Sequence, residues 1–230
     1  MIVSILLLIT AYLLGSIPSA VWIGKRFYGT DIREHGSKNA GATNTLRVLG
    51  KKAAIPVFAI DVAKGFAAVK LYLLAPACMD QYIFYFKLAL CVAVVLGHIF
   101  PVFANFKGGK GVATMAGAVL AINFPAVLLC LVTWLIVLAI SNYVSLSSVV
   151  AGIMFPVYTY IVCANLYPDV TTEETAFACV VAAVLVITHR KNLKRIFKGT
   201  ESKIYFFPER AHRRIKEREE ARKAAGKERQ

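Results

Sequence analysis

The sequence lacks the patterns that commonly hold metals, disulfides or nucleotides. Its five cysteines include no CxxC pair, and its four histidines include no HExxH pair. The first pattern is typical of zinc and redox sites, and the second of zinc enzymes. The segment from Gly36 to Gly41 has Walker-like glycine spacing, but Ala42-Thr43 stands where a Lys-Ser/Thr pair is required. We therefore expect no metal, no cofactor and no bound nucleotide.

Charged residues are also scarce, at 17% of the chain, whereas hydrophobic residues make up 58% and the mean hydropathy is +0.62. This composition excludes an ordinary soluble domain and predicts an all-α polytopic membrane protein with about seven transmembrane helices. The fourth apolar run has only about 12 residues, so it is either a tilted partial span or a re-entrant hairpin with the fifth. The spans are placed near residues 2–24, 53–75, 82–104, 112–123, 125–142, 146–165 and 173–188, within a single membrane domain over 1–208 that precedes a basic cytoplasmic tail over 209–230.

Lysine and arginine are missing from every second connection between these spans, near 76–81, 123–125 and 166–172. Of the 27 in the chain, seven lie between Lys25 and Lys52, two are Lys107 and Lys110, and fifteen follow from Arg190 onward. Because cytoplasmic connections carry the excess of positive charge, the N-terminus is predicted outside and the C-terminus inside. Seven crossings fit this orientation, and five would fit it too.

Three polar segments rich in glycine or asparagine interrupt the apolar sequence, each beside a predicted span. They are GSKNAGATNTLR (36–47), GHIFPVFANFKGGKG (97–111) and HRKNLKRIFKGTE (189–201). Backbone amides left open by glycine, together with Arg, Lys, Ser and Asn donors, can hold phosphate oxygens without a metal. All three segments fall on the predicted cytoplasmic side, so we expect a phosphate-binding site at that membrane surface.

Two features inside the predicted spans bear on this site. Asp61 and Lys64 lie three residues apart on one helical face, at a depth where unpaired charges are costly. This predicts an internal ion pair that supports the site or, alternatively, a direct substrate contact. Pro18 is expected to kink the first helix, with Ser16 and Ser19 bonding to the carbonyls that the proline leaves open.

Together these segments resemble the integral-membrane acyl-phosphate:glycerol-3-phosphate acyltransferases of bacteria. The resemblance covers nearly the whole chain and includes GSIPSA in the first helix, DVAKG from Asp61, YVSLSS from Tyr143 and the three polar segments. Ala40 stands where members of that family often have proline. No histidine has aspartate five residues on, so the His-x4-Asp signature of other acyltransferases is absent.

The resemblance implies transfer of a fatty acyl group from acyl phosphate to the 1-hydroxyl of glycerol 3-phosphate, at the cytoplasmic side of the bacterial inner membrane. The products would be lysophosphatidic acid and phosphate. Acyl phosphate is a mixed anhydride, so the enzyme would mainly position two anions and stabilise developing charge. The expected catalytic residues are Ser37, Arg47, His189 and Asn192. Substrate binding is expected from Asn39, Asn44, Lys110, Arg195 and the amides of Gly108, Gly109 and Gly111, with Asp61, Lys64 and Glu201 as structural support.

The histidines are expected to differ in role. His189, with an ordinary pKa close to neutral pH, is the candidate base for the attacking hydroxyl. Alternatively, it orients the hydroxyl while a substrate phosphate takes the proton. His35 and His98 are expected to be interfacial or structural.

Two other functions fit parts of the sequence. A transporter for a phosphorylated solute would also place basic, glycine-rich breaks beside membrane helices, although near the midplane and often in repeated halves. A membrane-anchored nucleic-acid binder would interleave aromatic and basic residues, and the tail after Pro208 has no aromatics. We therefore expect the two substrates and membrane lipid as partners, and no nucleic acid; the sequence indicates no oligomeric state.

Overall fold

The computed structural model describes residues 2–166 and 171–204, and the regular secondary structure in these two ranges is helical throughout. The predicted tail over 209–230 lies outside the described residues. Short 3-10 turns lie at Ile32–Glu34, Leu71–Leu74, Ala77–Tyr82 and Val102–Ala104. The α-helices of the described ranges are α1 Ile2–Gly15, α2 Ser19–Tyr28, α3 Ala42–Leu49, α4 Lys51–Lys70, α5 Ile83–Ile99, α6 Val112–Ile122, α7 Phe124–Ser141, α8 Val144–Leu166 and α9 Thr171–Phe197.

Several helices have the length and composition of membrane spans. Five segments of the described chain qualify: Ile2–Tyr28, Ala77–Ala104, Phe124–Ser141, Val144–Leu166 and Thr172–Phe197. Helix α4 has 20 residues, enough for a span, but carries five charged side chains. The predicted short fourth span is α6, which has 11 residues and is separated from α7 by Asn123 alone. The all-helical architecture is therefore confirmed over the described residues, while seven crossings remain a prediction.

The first predicted span is two helices, because the chain breaks at Ser16-Ile17-Pro18. The Ile17 carbonyl beside the break accepts a hydrogen bond from Lys64 Nζ at 2.8 Å. Ser19 Oγ donates instead to Asp61 Oδ1 at 2.8 Å, and Ser16 Oγ has no partner within the described residues. The expectation that the two serines would satisfy the open carbonyls is therefore wrong, because a lysine from α4 reaches the break.

Helix α6 ties the two halves of the fold together. One hydrophobic cluster joins it to α1, α4 and α5, and a second joins it to α7, α8 and α9. Its approach to α4 requires glycine: a Cβ on Gly65 would lie 2.0 Å from the Thr114 carbonyl oxygen, and one on Gly117 2.0 Å from that of Val62. This close packing fixes the start of α6, and with it the polar segment that comes immediately before.

Candidate active site

The first polar segment forms a loop that Asn44 braces from behind. Gly36 has a φ of +59°, a left-handed conformation that lets the chain turn. Asn44 is 1% exposed; its Nδ2 donates to the carbonyls of Ile32 and His35, both at 3.0 Å, and its Oδ1 accepts from Ser37 N at 2.8 Å. Both of its amide hydrogens are used, so Asn44 supports the loop and has no donor left for the predicted substrate contact.

The second polar segment folds back onto the end of α5. Gly108 N donates to the Ile99 carbonyl and Gly109 N to the His98 carbonyl, both at 3.2 Å. A Cβ on Gly108 would lie 2.0 Å from the His98 carbonyl oxygen, and one on Gly109 would lie 2.6 Å from that of Ala40. These glycines are therefore needed for close packing between the loops. Their amides are already bonded, so the expectation that they are open to phosphate is wrong.

Lys110 connects the second polar segment to the third. Its Nζ donates to Oδ1 of Asn192 on α9. Burial, together with repulsion from Arg195 and Arg47, lowers the pKa of Lys110 to about 8, although the Glu201 carboxylate opposes the shift. Lys110 is therefore charged at neutral pH and loses its charge in mildly alkaline solution.

Glu201 lies at the centre of the charged cluster, with a side chain only 2% exposed. Its Oε1 accepts from Asn192 Nδ2 at 2.7 Å, Ser145 Oγ at 3.0 Å and Arg47 Nη2 at 3.4 Å. Its Oε2 accepts from Arg195 Nε at 2.6 Å. Burial alone would raise the pKa of Glu201, but the hydrogen bonds from Asn192, Arg195 and Ser145 outweigh it and hold the pKa below its ordinary value. Glu201 is therefore an anion that gathers side chains from three helices.

The turn that follows α9 brings Glu201 back to the side of the helix that carries Asn192 and Arg195. Gly199 has a φ of +67°, which ends the helix in a left-handed turn. The amide of Glu201 then donates to the Arg195 carbonyl at 3.2 Å. Beyond it, Ile204 N donates to the Asn142 carbonyl at 2.8 Å, which fastens the segment to the turn between α7 and α8.

His189 lies three residues before Asn192 on α9, so both face the same side of the helix. The His189 side chain is buried, and its Nδ1 is 2.9 Å from the carbonyl oxygen of Leu185. A carbonyl can only accept, so the neutral ring carries its proton on Nδ1 and leaves Nε2 as an acceptor. Either predicted role, base or orienting group, requires an acceptor at Nε2.

The predicted ion pair between Asp61 and Lys64 is present, with Nζ and Oδ1 2.8 Å apart and side chains 1% and 3% exposed. The same carboxylate oxygen accepts from Ser19 Oγ and lies 3.6 Å from Nδ1 of His98. The pair thus joins α2, α4 and α5 and is enclosed by protein. This arrangement fits the supporting role better than a direct substrate contact.

Most of the predicted charged residues meet with Asn192 in one hydrogen-bonded cluster. The cluster is defined by Arg47, Lys110, Asn192, Arg195 and Glu201. Ser37 is exposed on the first loop and Asn39 is half-buried there, and the described residues include no hydrogen bond from either to this cluster. Sequence reasoning missed Ser145, for which the only signal was its place in YVSLSS. Residues 2–166 and 171–204 contain no group of three His, Cys, Asp or Glu side chains that could hold a metal ion.

The family follows from comparison with known proteins. A family model for glycerol-3-phosphate acyltransferase matches residues 5–199. The chain belongs to the glycerol-3-phosphate acyltransferase family. Within it, the enzyme of Enterococcus faecalis is 42% identical over 206 residues, covering 88% of this chain and 92% of the relative. The enzyme of Chlorobaculum tepidum is 38% identical over 228 residues, covering 90% and 98%.

Solved structures of glycerol-3-phosphate acyltransferases share the fold. The crystal structure of PlsY (YgiH), an integral membrane glycerol 3-phosphate acyltransferase, in its glycerol 3-phosphate form matches with a TM-score of 0.73 at 36% identity, covering 88% of this chain and 96% of that one. Its lysophosphatidic acid form also gives 0.73, at 34% identity, covering 88% and 95%. The chain is thus an integral membrane acyltransferase of this family, and these relatives give no support to the transporter alternative.

Proposed function

We propose that the protein transfers a fatty acyl group from acyl phosphate to the 1-hydroxyl of glycerol 3-phosphate, giving lysophosphatidic acid and phosphate. The observation that carries this proposal is the cationic cluster around Glu201. Arg47 and Arg195 contact its carboxylate directly, and Lys110 reaches it through Asn192. Three cations against one anion leave a net positive charge, which attracts the phosphate groups of the substrates. The family relationship supplies glycerol 3-phosphate as the acceptor.

Lys110 is assigned to the phosphate of glycerol 3-phosphate. Its ammonium has donors beyond the one that reaches Asn192, and the first amides of α6 follow it directly. Arg47 supports the same placement, because its Nε is buried without a hydrogen-bond partner within the described residues. Arg195, with Ser37 and Asn39 from the first loop, is assigned to the acyl phosphate.

The reaction requires no covalent enzyme intermediate. The 1-hydroxyl oxygen forms a bond to the acyl carbonyl carbon, the bond from that carbon to the phosphate oxygen breaks, and phosphate leaves with the electron pair. Nε2 of His189 accepts the hydrogen bond of the attacking hydroxyl, and the proton passes either to this nitrogen or to a substrate phosphate. The cationic cluster stabilises the charge that develops on the leaving phosphate.

We further propose that residues 1–208 form one multi-pass domain of the bacterial cytoplasmic membrane, with seven crossings, the N-terminus outside and the C-terminus inside. Helices α4 and α6 would supply the two crossings beyond the five long apolar segments. The active site then opens to the cytoplasm for glycerol 3-phosphate and to membrane lipid for the acyl chain. No nucleic acid takes part.

Thiol labelling tests this topology. In a background without the other native cysteines, Ser37→Cys, Lys107→Cys and Thr200→Cys should react with an impermeant reagent only from the cytoplasmic face. Native Cys78 is exposed in a predicted outer connection and serves as the matched control, reacting only from outside. Outside labelling at any of the three introduced cysteines would contradict a shared cytoplasmic site.

The activity is tested with purified protein, acyl phosphate and labelled glycerol 3-phosphate. Labelled lysophosphatidic acid should form, and Lys110→Ala should lose most of this activity at low glycerol 3-phosphate. Lys191→Ala is the matched control, because Lys191 is exposed beside Asn192 and should be dispensable. Equal loss in both variants would contradict the assigned site. Uptake of unacylated label into sealed vesicles, without product, would instead favour transport.

A further inference from the structure

The proposed reaction leaves His98 without a role, although this histidine lies directly beneath the second polar segment. It is the penultimate residue of α5, and it is buried. Its main chain already holds the segment, since its carbonyl accepts from Gly109 N at 3.2 Å. The two edges of its imidazole ring contact different parts of the fold.

The Nδ1 edge faces the buried ionic network. Nδ1 is 3.1 Å from Thr114 Oγ1 in the first turn of α6 and 3.6 Å from Asp61 Oδ1 on α4. Asp61 is in turn held by Ser19 Oγ and Lys64 Nζ, each at 2.8 Å. The ring is therefore held at this edge by side chains of α4 and α6.

The Nε2 edge faces the glycine segment. A Cβ placed on Gly109 would lie 2.2 Å from Nε2 and 2.6 Å from the Ala40 carbonyl oxygen. Gly109 is thus enclosed between the imidazole below and the first polar loop above. The next residue is Lys110, whose ammonium meets Asn192. The position of the His98 ring therefore limits where the backbone of Lys110 can lie.

We propose that His98 is a positioning residue for Lys110. The Asp61 network holds the His98 ring, and the ring in turn supports the Gly108-Gly109-Lys110 segment. This support places Lys110 where it can bind the phosphate of glycerol 3-phosphate. The inference rests on the proposed function, because it assigns Lys110 to that substrate. His98 itself takes no part in proton transfer. Its loss should therefore weaken the use of glycerol 3-phosphate more than the use of the acyl donor.

Two amide substitutions separate the edges of the ring. In His98→Asn the short side chain can still donate to Asp61 and Thr114 but leaves a space beneath Gly109. In His98→Gln the longer side chain can refill that space. We expect His98→Asn to raise the KM for glycerol 3-phosphate about tenfold or more, as for a weakened charge-assisted contact, with little change in the KM for acyl phosphate. His98→Gln should recover part of the loss, and His35→Asn, at an exposed histidine, should behave like the parent.

The outcomes distinguish this inference from the proposed function. If the parent protein forms no lysophosphatidic acid, the proposed function itself fails. If the parent is active and His98→Asn keeps the parental KM for glycerol 3-phosphate, only the positioning role is overturned. Equal increases in both KM values, accompanied by a large fall in Tm, would also overturn it, because the histidine would then support the fold in general. Gly109→Ala provides a second route, since its methyl group would displace the same segment and should reproduce the selective increase in KM.

Discussion

Replacement of Glu201 should destabilise the protein even though the residue lies beyond the end of α9. Its carboxylate is enclosed and accepts short hydrogen bonds from Asn192 and Arg195, at 2.7 and 2.6 Å. The Glu201 side chain is 2% exposed, but that of Arg195 is 39% exposed, so water can solvate the arginine once the carboxylate is gone. Loss of hydrogen bonds to a charged group then costs about 1.5 to 3 kcal/mol. For a chain of this size that loss corresponds to a fall in Tm of roughly 3 to 12 °C.

The measurement is thermal unfolding in detergent, followed with a thiol-reactive fluorophore that reacts as buried Cys91 and Cys163 become exposed. Glu201→Ala should show the fall in Tm, and Glu201→Gln a smaller one, since one oxygen can still accept. Glu173→Ala is the matched control, because Glu173 is exposed in the first turn of α9. Loss of activity in Glu201→Ala without loss of Tm would refute the structural assignment and place Glu201 in the reaction.

The stability supplied by Glu201 should also depend on pH. The pKa of Glu201 is lower in the folded protein than its ordinary value of 4.5. The unfolded chain therefore takes up the proton first as pH falls, and stability is lost below about pH 4.5. The difference in Tm between the parent and Glu201→Gln should be constant at neutral pH and shrink in acid. A difference that does not change with pH would contradict this origin.

The remaining predictions concern three other positions. Lys110→Ala should raise the KM for glycerol 3-phosphate by about 10- to 100-fold, much more than it lowers kcat. In the parent, the KM for glycerol 3-phosphate should increase at pH values above about 8, because Lys110 loses its proton there. In Lys110→Arg the side chain stays charged, so the KM should show no such increase. His189→Ala should lower kcat. An amide cannot act as a base, so substantial activity in His189→Asn with an unchanged pH profile would indicate that a substrate phosphate accepts the proton. Asp61→Asn should lower both Tm and activity, and an unchanged Tm would move Asp61 into the site.

The sequence was sufficient to predict a contact where both residues lie close together along one helix. Asp61 and Lys64 are three residues apart on α4, so their pairing follows from helical geometry once both are known to lie within the protein. The pairing of Arg195 with Glu201 is similarly local, since Gly199 turns the chain back after α9. Hydrophobic runs likewise predicted the long apolar helices from α4 onward and the short length of α6.

Contacts between distant segments could not be predicted from sequence. Gly108 and Gly109 suggested open amides, but their requirement for glycine comes from α5 and from Ala40 in another loop. The direction of the Asn44 side chain is set by the way the first loop closes over it. Ser145 meets Glu201 only after α8 and α9 pack together, and a serine in an apolar helix carries no signal of that partner.

The measurement that tests the central claim most directly is donor choice. Purified protein and labelled glycerol 3-phosphate are incubated in parallel with acyl phosphate, acyl-coenzyme A and an acyl-carrier-protein thioester of the same chain length. The cluster around Lys110 and Glu201 is assigned to the phosphates of both substrates, so labelled lysophosphatidic acid should form with acyl phosphate and not with the thioesters. Product from a thioester, with none from acyl phosphate, would contradict the proposed reaction.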